Sequence, residues 1–212
     1  MRYNVVKGAK EILENSEYVI KNPKGQKNKW KDVFKNNNPI CLELGMGRGI
    51  FIIEMARTFP NKNFIGLEID ASQTATSIRN IGSKKLPNLK IICADASDLV
   101  EMFGREIDTI YLTFSEPWPK KQDEKKRFTS MNYLKLYDRI FKKNKHIILK
   151  TDNKILFSSS LENLSNYWYT FERVSLDLHH DERKIPNIMT DFEIQYYKEH
   201  RPIYYVDATF KE

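Results

Sequence analysis

From Pro39 onward the chain alternates short apolar runs with stretches of helical period. Strand candidates fall near 40–44, 64–69, 89–93, 108–114 and 146–150, and helix candidates near 49–58, 72–84, 97–103, 128–142 and 154–166. Few architectures accept that alternation: strands joined through helices run parallel, and a parallel sheet built this way must be covered on both faces. The expected fold is α/β, a doubly wound, mostly parallel sheet with helices on both faces. Beyond these helices the pattern changes. Residues 169–178 and 192–210 are rich in aromatic and β-branched residues with no clear helix at the very end, and as tail strands they are expected to pair antiparallel at one edge. Residues 1–38 are polar and basic, with 22–31 reading as a loop or mobile arm. The expected division is a basic N-terminal arm over 1–38 and a single domain over 39–212.

An open sheet of this kind places its ligand outside the carboxyl ends of the strands. There Ile40-Cys-Leu-Glu-Leu-Gly-Met-Gly-Arg-Gly-Ile-Phe51 passes from a strand through Gly45, Gly47 and Gly49 into a helix. Such glycines let the backbone approach a ligand and leave helix N-terminal N–H groups facing it. A nicotinamide dehydrogenase wants G-x-G-x-x-G/A, and the third small position is filled by Ile50, which weakens that reading. Glu68 closes the second strand 19 residues after Gly49, the distance at which an acid accepts hydrogen bonds from ribose hydroxyls. Asp95 closes the third, and Glu43 sits at the end of the first. Acids at successive strand ends suit a ligand carrying ammonium, ribose and adenine amino donors and suit pyrophosphate badly; S-adenosylmethionine is the expected cofactor. Taken singly, a glycine turn and strand-end acids that cap helices are ordinary structure. It is their register that points to a site.

The fourth strand runs into Thr113-Phe-Ser-Glu-Pro-Trp-Pro-Lys-Lys121. Pro117 and Pro119 stop the strand and forbid an immediate helix, leaving a stiff loop that carries Glu116, Trp118 and the lysines. Trp118 either stacks on a base or packs the loop, and packing is favoured. Lys120, Lys121, Lys125, Lys126 and Arg127 form a basic cluster broken only by Asp123 and Glu124, either a solvated helix start or a phosphate clamp. Lys and Arg outnumber Asp and Glu by 35 to 28, a net charge of +7 that favours a polyanionic partner. His179-His180-Asp181 looks like part of a metal site, but no third and fourth ligands stand out, and no metal is expected. Cys41 and Cys93 lie inside apolar runs as reduced thiols, the N-terminus lacks the apolar run of a signal peptide, and no stretch has the length of a membrane span. A cytoplasmic protein with no membrane association is expected.

The joined pattern "LELGMGRG", "GLEID", "CADA", "FSEPWPKK", "KTDN" at 150–153 and "TDFE" at 190–193 resembles the bacterial tRNA (guanine-N7-)-methyltransferase family along nearly the whole chain. The glycine loop is shared by class I methyltransferases generally, whereas the S-x-P-W-P-K block and the T-x-F-E motif are specific to this family. The resemblance implies a Rossmann-like class I methyltransferase fold and transfer of a methyl group from S-adenosylmethionine to N7 of a guanosine in the tRNA variable loop. It implies cofactor contacts at Glu43, Gly45, Gly47, Gly49, Glu68, Asp95, Ala96 and Glu116, with Glu116 also at the active centre. Substrate contacts would lie at Lys120, Asp152, Thr190, Asp191, Phe192 and Glu193, and tRNA phosphate contacts at Lys121, Lys125, Lys126 and Arg127. Glu116 departs from the family, which carries aspartate there; the extra methylene keeps the charge and moves it by about one bond length. Monomer and homodimer are both open.

Guanine N7 has a lone pair and no proton, so its methylation needs alignment rather than a general base. Glu116 and Asp152, expected at adjacent strand ends, are placed to stabilise the purine as it becomes cationic, and Glu193 to accept from its N1–H and amino edge. The glycine loop and acids alone do not name the acceptor. A methyltransferase acting on a small molecule or protein, and an RNA-binding protein without turnover, are the alternatives from the residues.

Overall fold

The structure, a computed structural model, describes residues 5–184 and 187–210. Along the chain run α1 (Ala9–Asn15), α2 (Trp30–Phe34), β1 (Ile40–Leu44), α3 (Ile50–Thr58), β2 (Asn63–Glu68), α4 (Ala71–Ile81), β3 (Leu89–Cys93) and α5 (Leu99–Met102). They are followed by β4 (Ile107–Thr113), α6 (Met131–Ile140), β5 (Phe141–Thr151), α7 (Lys154–Asn166), β6 (Thr170–Ser175), α8 (Asp191–Lys198) and β7 (Tyr204–Phe210). The strands form one sheet in the order β3-β2-β1-β4-β5-β7-β6, parallel from β3 to β5.

Period-two alternation sorts the strand side chains onto two covered faces. Leu42, Leu44, Ile65, Ile110, Leu112 and Leu149 join Trp30, Leu99, Leu134 and Phe157 in one core. Cys41, Phe64, Ile91 and Tyr111 point the other way, against Phe51, Ile52 and Ile81 of α3 and α4. Both cysteines are free thiols; Cys41 is buried and Cys93 half-buried. No helix among the described residues is long and apolar enough to cross a membrane.

Two regions differ from expectation. Within the basic segment before β1, residues 18–20 and 30–34 are built into the fold. Trp30 is fully buried, its indole N–H donates to the Met102 carbonyl at 2.9 Å, and its ring stacks on Phe103 at 5.1 Å. Residues 18–20 exchange backbone hydrogen bonds with Ile91 and cover the outer edge of β3. The stretch 192–210 is not strand throughout. Its first part is α8, started by the Thr190 hydroxyl accepting the Glu193 N–H at 3.0 Å, the first half of a T-x-x-E cap. The antiparallel strand is β7, which lies between β5 and β6 and pairs with both, so that β6 forms the edge.

Candidate active site

Strand order reverses between β1 and β4, and a cavity of about 660 Å³ opens at the carboxyl ends of β1, β2 and β4. The turn after β1 is pinned to β2: the Gly45 and Met46 N–H groups donate to the Leu67 carbonyl at 2.9 and 3.1 Å. Gly47 (φ 54°) faces open space, since a Cβ there would meet nothing within 4 Å, and it lines the cavity. Gly49 (φ 73°) is set by packing instead, because a Cβ would stand 2.7 Å from that of Ser77.

The strand-end acids converge on this cavity in different states. Glu68 Oε2 accepts the Gly47 N–H and Oε1 the Asp70 N–H, each at 3.0 Å. Glu43 is fully buried; its Oε1 accepts from the Thr113 hydroxyl, and its Oε2 has no hydrogen-bond partner among the described residues. Burial pushes this carboxyl up to about 8, against the opposing pull of the Thr113 hydrogen bond and the Lys150 charge. Asp95 is exposed and caps the short turn Ala96–Asp98 by accepting the Ser97 N–H at 2.7 Å, with Ala96 beneath it on the cavity wall.

Glu116 stands exposed on the rim, between two non-glycine residues in the left-handed region, Phe114 (φ 51°) and Trp118 (φ 45°). Such conformations persist where neighbours over-determine them. Here the neighbour is Arg127, whose Nε donates to the Pro117 carbonyl at 2.9 Å and Nη2 to that of Trp118 at 3.0 Å. Where a phosphate contact was expected, the Arg127 side chain is only 2% exposed, its guanidinium turned inward to carbonyls that the proline loop leaves without a ladder. Trp118 lines the cavity under the Lys126 ammonium, 4.6 Å from its ring, and Lys126 also pairs with Asp123 at 2.8 Å. Lys120, Lys121 and Lys125 are exposed beyond the cavity.

On the far wall, Thr190 and Phe192 line the cavity. Asp191 opens α8, and its side chain lies outside the described residues. Glu193, expected to accept from the guanine edge, is fully buried: its carboxylate pairs with Lys150 at 2.7 Å and accepts from the Asn187 amide, and the His179 ring lies beside it. Asp152 follows β5, beside β4 as expected, but outside the cavity lining, paired with Arg201, whose guanidinium stacks on Tyr196 at 4.1 Å. His180 pairs with Asp177, and Asp181 with Arg183.

Reasoning from sequence missed several lining residues. Thr113 holds Glu43, and Phe128 packs edge-on to Tyr133 at 5.0 Å while limiting the space at Gly45. Nothing local marks Phe128 or Tyr133 as lining the cavity; α6, which follows Phe128 and contains Tyr133, brings them there. A buried carboxyl with one oxygen unpaired, an open glycine cradle and a further acid at the second strand end fit a cation-bearing nucleoside ligand such as S-adenosylmethionine.

Residues 37–206 match a family described as "Putative methyltransferase". The tRNA (guanine-N(7)-)-methyltransferase of Streptococcus pneumoniae (strain Hungary19A-6) is 42% identical over 212 residues, 99% of this chain and 100% of the relative. That of Pediococcus pentosaceus is 39% identical, covering 95% and 96% of the two chains. Among solved structures, an antibiotic-related methyltransferase superposes with a TM-score of 0.67 at 18% identity, over 86% of this chain and 93% of the other. The 16S rRNA methyltransferase KamB does so at 0.65 and 13% identity, over 87% and 94%. At such identities the structural likeness speaks for the fold.

Proposed function

The chain belongs to the tRNA (guanine-N(7)-)-methyltransferase family, and from that premise we propose that it transfers a methyl group from S-adenosylmethionine to N7 of a guanosine in the variable loop of tRNA. The observation that carries this reading at the level of residues is the convergence of Glu43, Glu68, Asp95 and Glu116 on one cavity at the strand-order reversal.

S-adenosylmethionine supplies, when bound, an electrophilic methyl group. Glu68 and Asp95 would hold its ribose and adenine side, and the unpaired Oε2 of Glu43 its cationic end. The chain's own work is then alignment and charge. N7 needs no proton removed, which agrees with a site whose acids serve as acceptors and field sources rather than as a base. Glu116, held on a stiff rim by Arg127, would place negative charge beside the purine as it becomes cationic. Thr190 and Phe192 would bound the base from the opposite side. The exposed Lys121 and Lys125 would meet phosphates, and Lys126, against Trp118, would act at the rim where backbone and base diverge. Neither Lys120 nor Asp152 reaches the cavity lining; both would contact the nucleotide only outside it.

Transfer of labelled methyl groups to unmodified tRNA, followed by mapping of the modified base, tests the assignment. Label at a base other than guanosine, or on protein or small molecules alone, would overturn it.

A further inference from the structure

The T-x-F-E segment reaches the cavity through Thr190 and Phe192, yet its glutamate faces inward. What it faces is Lys150, near the carboxyl end of β5, a side chain only 2% exposed. An ammonium has three N–H donors, and here each finds an oxygen: Glu193 Oε2 at 2.7 Å, Asn187 Oδ1 at 2.9 Å and the Ile188 carbonyl at 2.7 Å. All three acceptors belong to 187–193. The same ammonium lies 4.8 Å from the centre of the Phe51 ring, which lines the cavity on the glycine-loop side. A buried ion pair is a poor stability device, since an apolar pair of equal volume often does as well, but it can fix one arrangement among several.

We propose that Lys150 is a positioning residue for the methyl transfer: its ammonium, anchored on the sheet and saturated by acceptors from 187–193, sets where that segment stands as the substrate-side wall. This deepens the proposed function and rests on it. Glu193 is then the partner through which Lys150 holds Thr190 and Phe192, not a group that reads guanine. Glu68 and Asp95 make no contact with this tether, and the Lys150 charge reaches Glu43 only through space, where favouring the ionised carboxyl and repelling the cationic cofactor act in opposite senses, so losing it should lower turnover far more than cofactor affinity.

The test is Lys150→Met, with the double variant Lys150→Met/Glu193→Leu, which leaves no lone buried charge, read in parallel in case the single variant does not fold. Cofactor affinity by calorimetry is expected within about threefold of wild type, while the single-turnover rate at saturating tRNA falls about tenfold or more. Backbone hydrogen exchange over 187–198 should quicken by about tenfold, with β1 to β4 unchanged. A rate within about threefold of wild type, cofactor affinity lost in step with the rate, or unchanged exchange over 187–198 would each overturn the proposal. If the wild-type protein fails to methylate tRNA, the substrate reading falls, and exchange together with cofactor affinity still decides whether Lys150 sets the wall.

Discussion

Glu68 Oε2 accepts the backbone N–H of Gly47 at 3.0 Å, so the acid that ends β2 also shapes the glycine turn that follows β1. Glu68→Ala therefore removes a ligand contact and a turn contact together. Cofactor affinity is expected to fall by about 1.5–3 kcal/mol and the unfolding midpoint to drop as well, with tRNA affinity little changed. Calorimetry on the variant checks this, and unchanged cofactor affinity would take Glu68 out of the site.

Arg127 and its lysine neighbours should separate cleanly. Arg127→Ala leaves the Pro117 and Trp118 carbonyls without their donors and loosens the rim that carries Glu116. The rate at saturating tRNA should drop about tenfold while the salt dependence of tRNA binding stays at the wild-type slope. Lys121→Ala and Lys125→Ala should do the reverse, flattening the plot of log affinity against log salt by up to about 0.9 per lost contact. A flattened slope for Arg127→Ala would mean that its side chain reaches RNA after all.

Glu43 gives a pH signature. Its carboxyl is raised from 4.5 to about 8 by burial, so the folded state takes up a proton that the unfolded chain has released. The resulting stability is full below about 4.5 and is lost as pH rises through about 8. Glu43→Gln should flatten the fall over that window and be the more stable protein at its upper end. Cofactor binding below about 8 should release a proton as positive charge meets Oε2. Calorimetry in buffers of different ionisation enthalpy measures that proton, and none would be released if Glu43 were already ionised.

Trp30 tests whether the basic segment belongs to the core. Trp30→Ala should destabilise the protein by about 3–5 kcal/mol, read by chemical denaturation. A loss below about 1 kcal/mol would make residues 24–34 a detachable extension.

Strands β1 to β4 and the second half of β5 were legible in the sequence because each is a short apolar run that a parallel sheet buries on both sides, whereas the exposed Lys142, Lys143 and Asn144 at the start of β5 carry no such signal; the glycine turn marks the site by its spacing. Residues whose roles depend on distant partners were not legible. Arg127 sits in a charge run that looks solvated, and only the folded loop shows the two carbonyls that draw it inward. Trp30 is hidden among lysines that face water. Thr190 to Glu193 carries a readable helix-start signal, obscured by aromatic residues that also suit a strand. Asp152 and Arg201 meet across 49 positions, with no local cue.

The insertion of β7 between β5 and β6 also governs how the protein is made. Lys145 to Thr151 pair with Phe210 to Tyr204, and β6 pairs with the opposite side of the same strand. During translation the five parallel strands can assemble early, but β6 has no neighbour until Tyr204–Phe210 has left the ribosome. Thr190 and Phe192 meanwhile hang on a segment whose downstream anchor is missing. A product interrupted before Tyr204 would expose the bare edge of β5, a template for pairing with other chains. Competence for catalysis thus waits on β7, and quality control that removes stalled products would also remove their sticky edge.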